Sequence, residues 1–312
     1  MRLIPKKILL AIMENKSLSH QKNLISFYGI QRSGNHAVIN WLCGMIYSPL
    51  FINNLMPKKN ISRYHSPISL PEGVRFLSKR DGNHIIYPEK NELTYNGGAK
   101  KNGAIIVSYE NLIISSKMIA DQKQFFQNRV GFYKEKIDII LIRNPLDMMA
   151  SQIDLITRYQ NKTDLYKKSV KSMIKNLIMK RELYIRPREA LIVNALRHYC
   201  DLWSLYSKCF LENQQFDNKT VYIFFEKWLS DKRYRENIAA SLGLEYNERN
   251  KDFVSDSGGG SSFVENASSK DLNYSSLTSR YEKSPHKELI YKILKEHPDA
   301  FHNWTKIYSS QS

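Results

Sequence analysis

The sequence predicts an α/β fold in three layers, a mainly parallel central sheet with helices on both faces. Three observations point there. Apolar runs of strand length alternate with segments of helical period, the order that builds parallel sheets with covered faces. The apolar runs end in polar turns from which the next helix starts. The chain has 312 residues, 42% of them hydrophobic, enough for a large α/β core. A single domain is expected over 1–312, with its core at about 24–285.

The first strand is "NLISFYG", after which Val38, Trp41, Leu42, Met45 and Ile46 recur at helical spacing. Residues 52–103 are rich in Asn, Gly, Pro and Lys; with little periodicity, they read as long loops. "GAIIVSYENL" (103–112) is a second strand, "IDIILIRNP" (137–145) a third and "TVYIFFEKWL" (220–229) a fourth. Helical patterns occupy 145–159, 165–183 and 188–212, and a last helix is expected near 285–296. The Ser/Gly-rich stretch at 255–285 reads as a loop.

Charge narrows the ligands. Lys and Arg number 47 against 30 Asp and Glu, a formal net charge of +17. That balance favours a nucleotide, a nucleic acid, an acidic glycan or an anionic membrane surface. Cys43, Cys200 and Cys209 follow no metal or disulfide spacing and read as buried free thiols, which fits a reducing compartment. The apolar run at 8–13 is too short for a signal-peptide core or a membrane span. The expectation is a cytoplasmic protein, with peripheral contact at the inner face of an anionic membrane as a secondary one.

The first motif is "FYGIQRSGNHAVINWL" (27–42). A strand turning into a helix N-terminus presents backbone N–H groups and the positive end of the helix dipole to an anion. Gly34 lets the backbone approach closely. Ser33 and Asn35 can add donors, Arg32 adds a delocalised cation, and His36 could bind an anion or act in catalysis. A magnesium-dependent phosphate loop would end Gly-Lys-Ser/Thr; this one does not. The second motif is "IDIILIRNPLDMMAS". Its strand delivers Arg143 at the C-terminal end, where open α/β sheets bind ligands. Asn144 suits an N-cap, Pro145 the first helical position and Asp147 the third position after the cap. Ser151 lies two turns in, roughly 9 Å along the axis at 1.5 Å per residue, where it could meet Arg143 around one phosphate. Asp138 opens this strand, whereas a magnesium-binding aspartate would close it.

Together the two motifs resemble those of the sulfotransferases that use 3′-phosphoadenosine 5′-phosphosulfate (PAPS). The first loop of that family has Lys/Arg-Ser-Gly, then polar residues and a Trp-Leu-bearing helix, matched here by Arg32-Ser33-Gly34-Asn35-His36 and Trp41-Leu42. The Arg-Ser-Gly form is similar to that of carbohydrate-modifying members. Arg143, Asn144, Pro145, Asp147 and Ser151 match the family's second motif in type and spacing. "VYIFFEKWLSDKRYRENIAASLGL" (221–244) is similar to its late strand, Leu-x-Asp turn and helix ending Leu-Gly-Leu. "SGGGSSF" (257–263) stands where many members close a Gly-bearing loop over the 3′-phosphate, but lacks the basic-Gly sequence of the cytosolic phenol type.

The resemblance implies a P-loop NTPase-like sulfotransferase fold and transfer of a sulfuryl group from PAPS, the co-substrate, to a hydroxyl or amine without a metal. It implies that Arg32, Ser33, Gly34, Asn35 and His36 hold the 5′-phosphosulfate, with Arg32 on the bridging oxygen. Arg143 and Ser151 would hold the 3′-phosphate, under Gly259, Gly260, Ser261 and Ser262. The base is placed by the family at the end of the strand between the phosphate motifs. That makes Glu110 the first choice, His36 the second and the unassigned residues of 52–103 the remainder. Ten Lys or Arg against two acidic residues between 158 and 188 form either a solvated basic face or a groove for an anionic glycan or glycolipid acceptor. Both 52–103 and 157–195 are expected as acceptor-side insertions. The alternatives are a P-loop kinase acting on a small molecule and a basic nucleic-acid-binding protein. The first lacks Gly-Lys-Ser/Thr, and for the second there is charge but no recognised motif; nucleic acid is not the expected partner.

Overall fold

The computed structural model describes residues 23–46, 49–52, 55–56, 61–62, 75–80, 84–86, 104–121, 135–167, 188–216, 219–252 and 277–309. They group into two compact units. The first, Met1–Ile142 with Cys209–Tyr274, contains the sheet. Its strands are β1 (Asn23–Gly29), β2 (Leu50–Ile52), β5 (Arg75–Arg80), β6 (His84–Ile86), β7 (Ala104–Glu110), β8 (Lys136–Ile142) and β9 (Lys219–Phe224). Two short strands, β3 (Leu55–Met56) and β4 (Ile61–Ser62), pair separately.

The sheet order is β6-β5-β2-β7-β1-β8-β9. Every neighbouring pair is parallel except β5 with β6. β1, β7 and β8 are buried along almost their whole length, so both faces of this part of the sheet are covered. Near-continuous apolar strands are what such burial requires. The predicted α/β class and parallel sheet therefore hold. One expectation does not: 52–103 is more than loop, because β5 extends the parallel sheet and β6 closes its edge antiparallel.

Among the described residues, three helices belong to this unit: α1 (Asn35–Met45), α4 (Phe225–Ser230) and α5 (Lys232–Ser241). α1 buries Val38, Trp41 and Leu42, the apolar period read from sequence. The expected fourth strand stops at Phe224, and its "FEKWLS" tail is α4. Asp231 then caps α5 by accepting from the Tyr234 N–H at 3.0 Å. The Leu-Gly-Leu ending is a C-cap: Gly243 takes φ 68, and the Leu244 N–H returns to the Ala239 carbonyl at 2.9 Å. Arg235, buried, closes the end of α4 through the Trp228 and Leu229 carbonyls and pairs with Glu248. These features of 221–244 are thus explained as caps and ties.

The second unit, Arg143–Lys208 with Ser275–Ser312, is helical. It holds α2 (Pro145–Lys167), α3 (Arg188–Leu211, through Lys208), α6 (Lys287–Lys295) and α7 (Pro298–Ser309). α2 continues beyond the expected 159. The expected helix at 165–183 falls largely outside the described residues, and so does the basic run apart from its ends. α7 was not anticipated: Pro298 starts a new helix directly after α6, because proline fits a first helical turn. α6 packs on α2. α7 docks on α3 through Asn303, which donates to the Ser204 carbonyl and the Ser207 hydroxyl. No helix among the described residues is long and apolar enough to cross a membrane.

Candidate functional site

The first site forms where β1 ends. Arg32 adopts φ 73 and Gly34 φ 92, both left-handed. A left-handed arginine is strained, and such strain gathers at functional turns. Gly34 has two reasons to be glycine: its φ, and a would-be Cβ only 2.3 Å from the Phe225 ring. It is the N-cap of α1, and among the described residues no side chain caps that end. The Ala37 and Val38 N–H groups return to the Gly34 carbonyl. With no acidic residue in the first turn, the positive end of the α1 dipole is open to an anion from outside the helix.

The loop is tied to the end of β7. Parallel register sets Glu110 opposite Gly29. One residue on, Asn111 takes φ 56, a conformation asparagine tolerates. Its N–H reaches the Gly29 carbonyl at 3.1 Å, and its Oδ1 accepts the Gln31 N–H at 2.8 Å. Asn35 donates from Nδ2 to Glu110 Oε1 at 3.2 Å. The end of β7 thus sets Glu110 beside the loop that starts α1. Tyr109, one residue before, is buried and stacked on Tyr28 with centroids 5.1 Å apart. Ser33 is buried beneath the turn, and the His36 ring meets Phe51 edge-on, centroids 6.5 Å apart.

Of the second phosphate motif, the caps behave as expected: Asn144 Oδ1 accepts the Leu146 N–H at 3.0 Å, and the helix starts at Pro145. Asp147 does something else. Its carboxylate accepts the Tyr281 N–H at 2.9 Å, so it holds a segment remote in sequence as well as favouring the helix N-terminus. Arg143 is 4% exposed; its carbonyl accepts from Trp203 Nε1 at 2.8 Å, and its guanidinium donates to the Leu277 carbonyl.

The arginine seen on Ser151 is Arg280, whose Nη1 donates to Ser151 Oγ at 2.5 Å. Arg280 is 6% exposed and Ser151 1%. Sequence reasoning missed Arg280, which stands in "LTSRYEK" with no period or motif around it. The segment 277–281 thus meets Arg143 through the Leu277 carbonyl and brings a second buried guanidinium, Arg280, to Ser151. Gly259, Gly260, Ser261 and Ser262, expected over the 3′-phosphate, lie outside the described residues.

No protein-family model matches the sequence, and no curated protein matches it. Among solved structures the chain is similar to a mouse sulfotransferase, SULT7A1, complexed with PAP, at 13% identity and a TM-score of 0.34. The match covers 78% of this chain, which spans 65% of that one.

In chemical terms, the first unit offers an uncapped helix N-terminus behind a strained arginine, with a carboxylate tied to the same turn. The second offers two buried guanidinium groups and a buried hydroxyl. Both arrangements fit phosphate-like anions, and the guanidinium pair favours forked contacts with oxyanions.

Proposed function

We propose that the chain is a sulfotransferase that moves a sulfuryl group from PAPS to a hydroxyl or amine of a glycan or glycolipid. The observation that carries this reading is that segment 277–281 meets two buried residues of the second motif, Arg143 at the Leu277 carbonyl and Ser151 through the buried Arg280. Both guanidinium groups are buried and donate to neutral oxygens, and a bound phosphate would offer charged ones in exchange. A second phosphate beyond a 5′ chain is what distinguishes PAPS from ATP.

In this reading the α1 N-terminus and Arg32 serve the phosphosulfate, as the resemblance of the first motif implies, and Arg143 and Ser151, joined by Arg280, serve the 3′-phosphate, as that of the second implies. PAPS supplies the sulfuryl group. The acceptor oxygen forms a bond to sulfur as the bond from sulfur to the bridging oxygen breaks. Glu110 takes the acceptor proton, and Arg32 with the helix N-terminus receives the charge that develops on the leaving phosphate. The net charge of +17 and the basic ends of the 158–188 run support an acidic or lipid-borne glycan as acceptor.

Calorimetry tests the donor. Adenosine 3′,5′-bisphosphate should bind more tightly than ATP, with no dependence on magnesium. Equal or magnesium-dependent ATP binding would overturn the assignment in favour of a kinase. Labelled sulfate offered as PAPS to a panel of desulfated glycans and glycolipids would then identify the acceptor.

A further inference from the structure

We infer that Asn35 is a positioning residue for the Glu110 carboxylate, and that residue 29 is glycine so that Asn35 can lie across it. The inference rests on Glu110 being the base. Asn35 is the first residue of α1 and only 4% exposed. Its Nδ2 stands 3.3 Å from the Ile30 carbonyl and 3.2 Å from Glu110 Oε1. Two acceptors around one atom identify that atom as the amide nitrogen. Among the described residues its buried Oδ1 accepts no hydrogen bond. Leaving a carbonyl unsatisfied is unfavourable, so this orientation is retained for what the nitrogen does.

The space is cut to fit. A Cβ on Gly29 would lie 2.0 Å from Asn35 Oδ1, 2.7 Å from Cγ and 3.0 Å from Nδ2. Gly29 is also the register partner of Glu110. The same backbone position therefore seats the amide and faces the residue the amide holds. The Asn111 N–H on the Gly29 carbonyl fixes the two strand ends together, so the Asn35 amide and the Glu110 carboxylate meet at a defined place.

A neutral amide suits a base. It gives the carboxylate a fixed direction, whereas a lysine or arginine in that place would favour the charged form and weaken proton uptake. Asn35 also ties Ile30, whose carbonyl takes the Ser33 N–H at 3.1 Å. A test must therefore separate support of the donor loop from orientation of the base.

The test uses the full chain and sulfate released from PAPS with water as acceptor. There the water oxygen bonds to sulfur, its proton passes to Glu110, and adenosine 3′,5′-bisphosphate leaves. Glu110→Gln should lower kcat by about 10²–10⁴-fold. Asn35→Ala should lower it by about 10²-fold, the effect of a displaced catalytic group, a loss well beyond any it causes in bisphosphate affinity. The decisive measurement is the double variant: Asn35→Ala with Glu110→Gln should be no slower than Glu110→Gln alone, because the amide acts only through the carboxylate. Gly29→Ala should be as slow as Asn35→Ala, and harmless when added to it. Independent, multiplying losses, or an Asn35→Ala effect confined to the KM for PAPS, would overturn the inference alone. A wild-type chain that releases no sulfate and does not bind the bisphosphate would overturn the sulfotransferase reading as well.

Discussion

Arg143 and Arg32 answer different questions. Arg143 is buried and already directed at a neutral carbonyl, so a phosphate there exchanges one acceptor for a charged one. Arg143→Ala is expected to weaken adenosine 3′,5′-bisphosphate binding by about 1.5–3 kcal/mol, the range for hydrogen bonds to charged groups; isothermal titration measures it. Arg280→Ala should weaken it comparably, since it also strips Ser151 of its guanidinium. Arg32 sits in the strained turn, and its substitution by alanine should cost more in kcat than in product affinity if it serves the leaving oxygen in the transition state. Loss of product affinity in both variants with turnover unchanged would reverse these roles. His36, with its ring against Phe51, is the matched control for Glu110. Should His36→Ala keep donor affinity and lose turnover while Glu110→Gln turns over normally, the base is His36.

The strand-loop-helix of β1 and α1 works because two glycines accommodate side chains from other parts of the chain. Gly29 receives Asn35, and Gly34 receives Phe225 from α4. Gly34→Ala meets two penalties: a left-handed φ, costing about 1–2 kcal/mol for a residue with a Cβ, and overpacking against a buried ring, about 1–3 kcal/mol. Urea unfolding should show a loss of at least about 2 kcal/mol, with part recovered on adding Phe225→Leu, which removes the ring atoms in the way. No recovery would mean that the backbone angle alone requires the glycine. The α2 N-terminus is also held from afar, by Tyr281 on Asp147 and Arg280 on Ser151. The α2 N-terminus and the segment 277–281 are thus one structural element.

Across the molecule, the three cysteines are free and buried, as their apolar surroundings predicted. Burial pushes the Cys43 thiol up from 9.0 to about 12, and the Cys200 thiol likewise to about 12, with Asp201 adding to the burial effect. The native thiols therefore stay protonated where unfolded ones ionise. Stability from each is intact below about pH 9 and falls as pH rises toward 12, with a slope of about 1.4 kcal/mol per pH unit for each thiol. Cys43 lies in the first unit and Cys200 in the second. Thiol labelling at pH 8 should leave both untouched in the native chain and report the unfolding of each unit in urea. Rapid labelling of either without denaturant would show that its unit opens locally. The urea midpoint should drop between pH 8 and 10.5, and drop less in Cys200→Ala.

What the sequence determined by itself lies within short windows. Apolar runs specified β1, β7, β8 and β9, and their alternation with helical periods specified a parallel α/β sheet. Asn144-Pro145 announced the start of α2, and Arg32-Ser33-Gly34 the turn before α1, because caps and left-handed positions are dictated by the residues that occupy them. Tertiary structure decided the rest. Arg280 meets Ser151 across 129 residues, Tyr281 meets Asp147 across 134, and Asn35 meets Glu110 across 75. β5 joins the sheet by pairing with β2, though its composition reads as loop. Periodicity and capping are local signals. The partner of a buried guanidinium or of an amide over a glycine is selected by packing between segments distant in the chain, and those segments carry no mark of it.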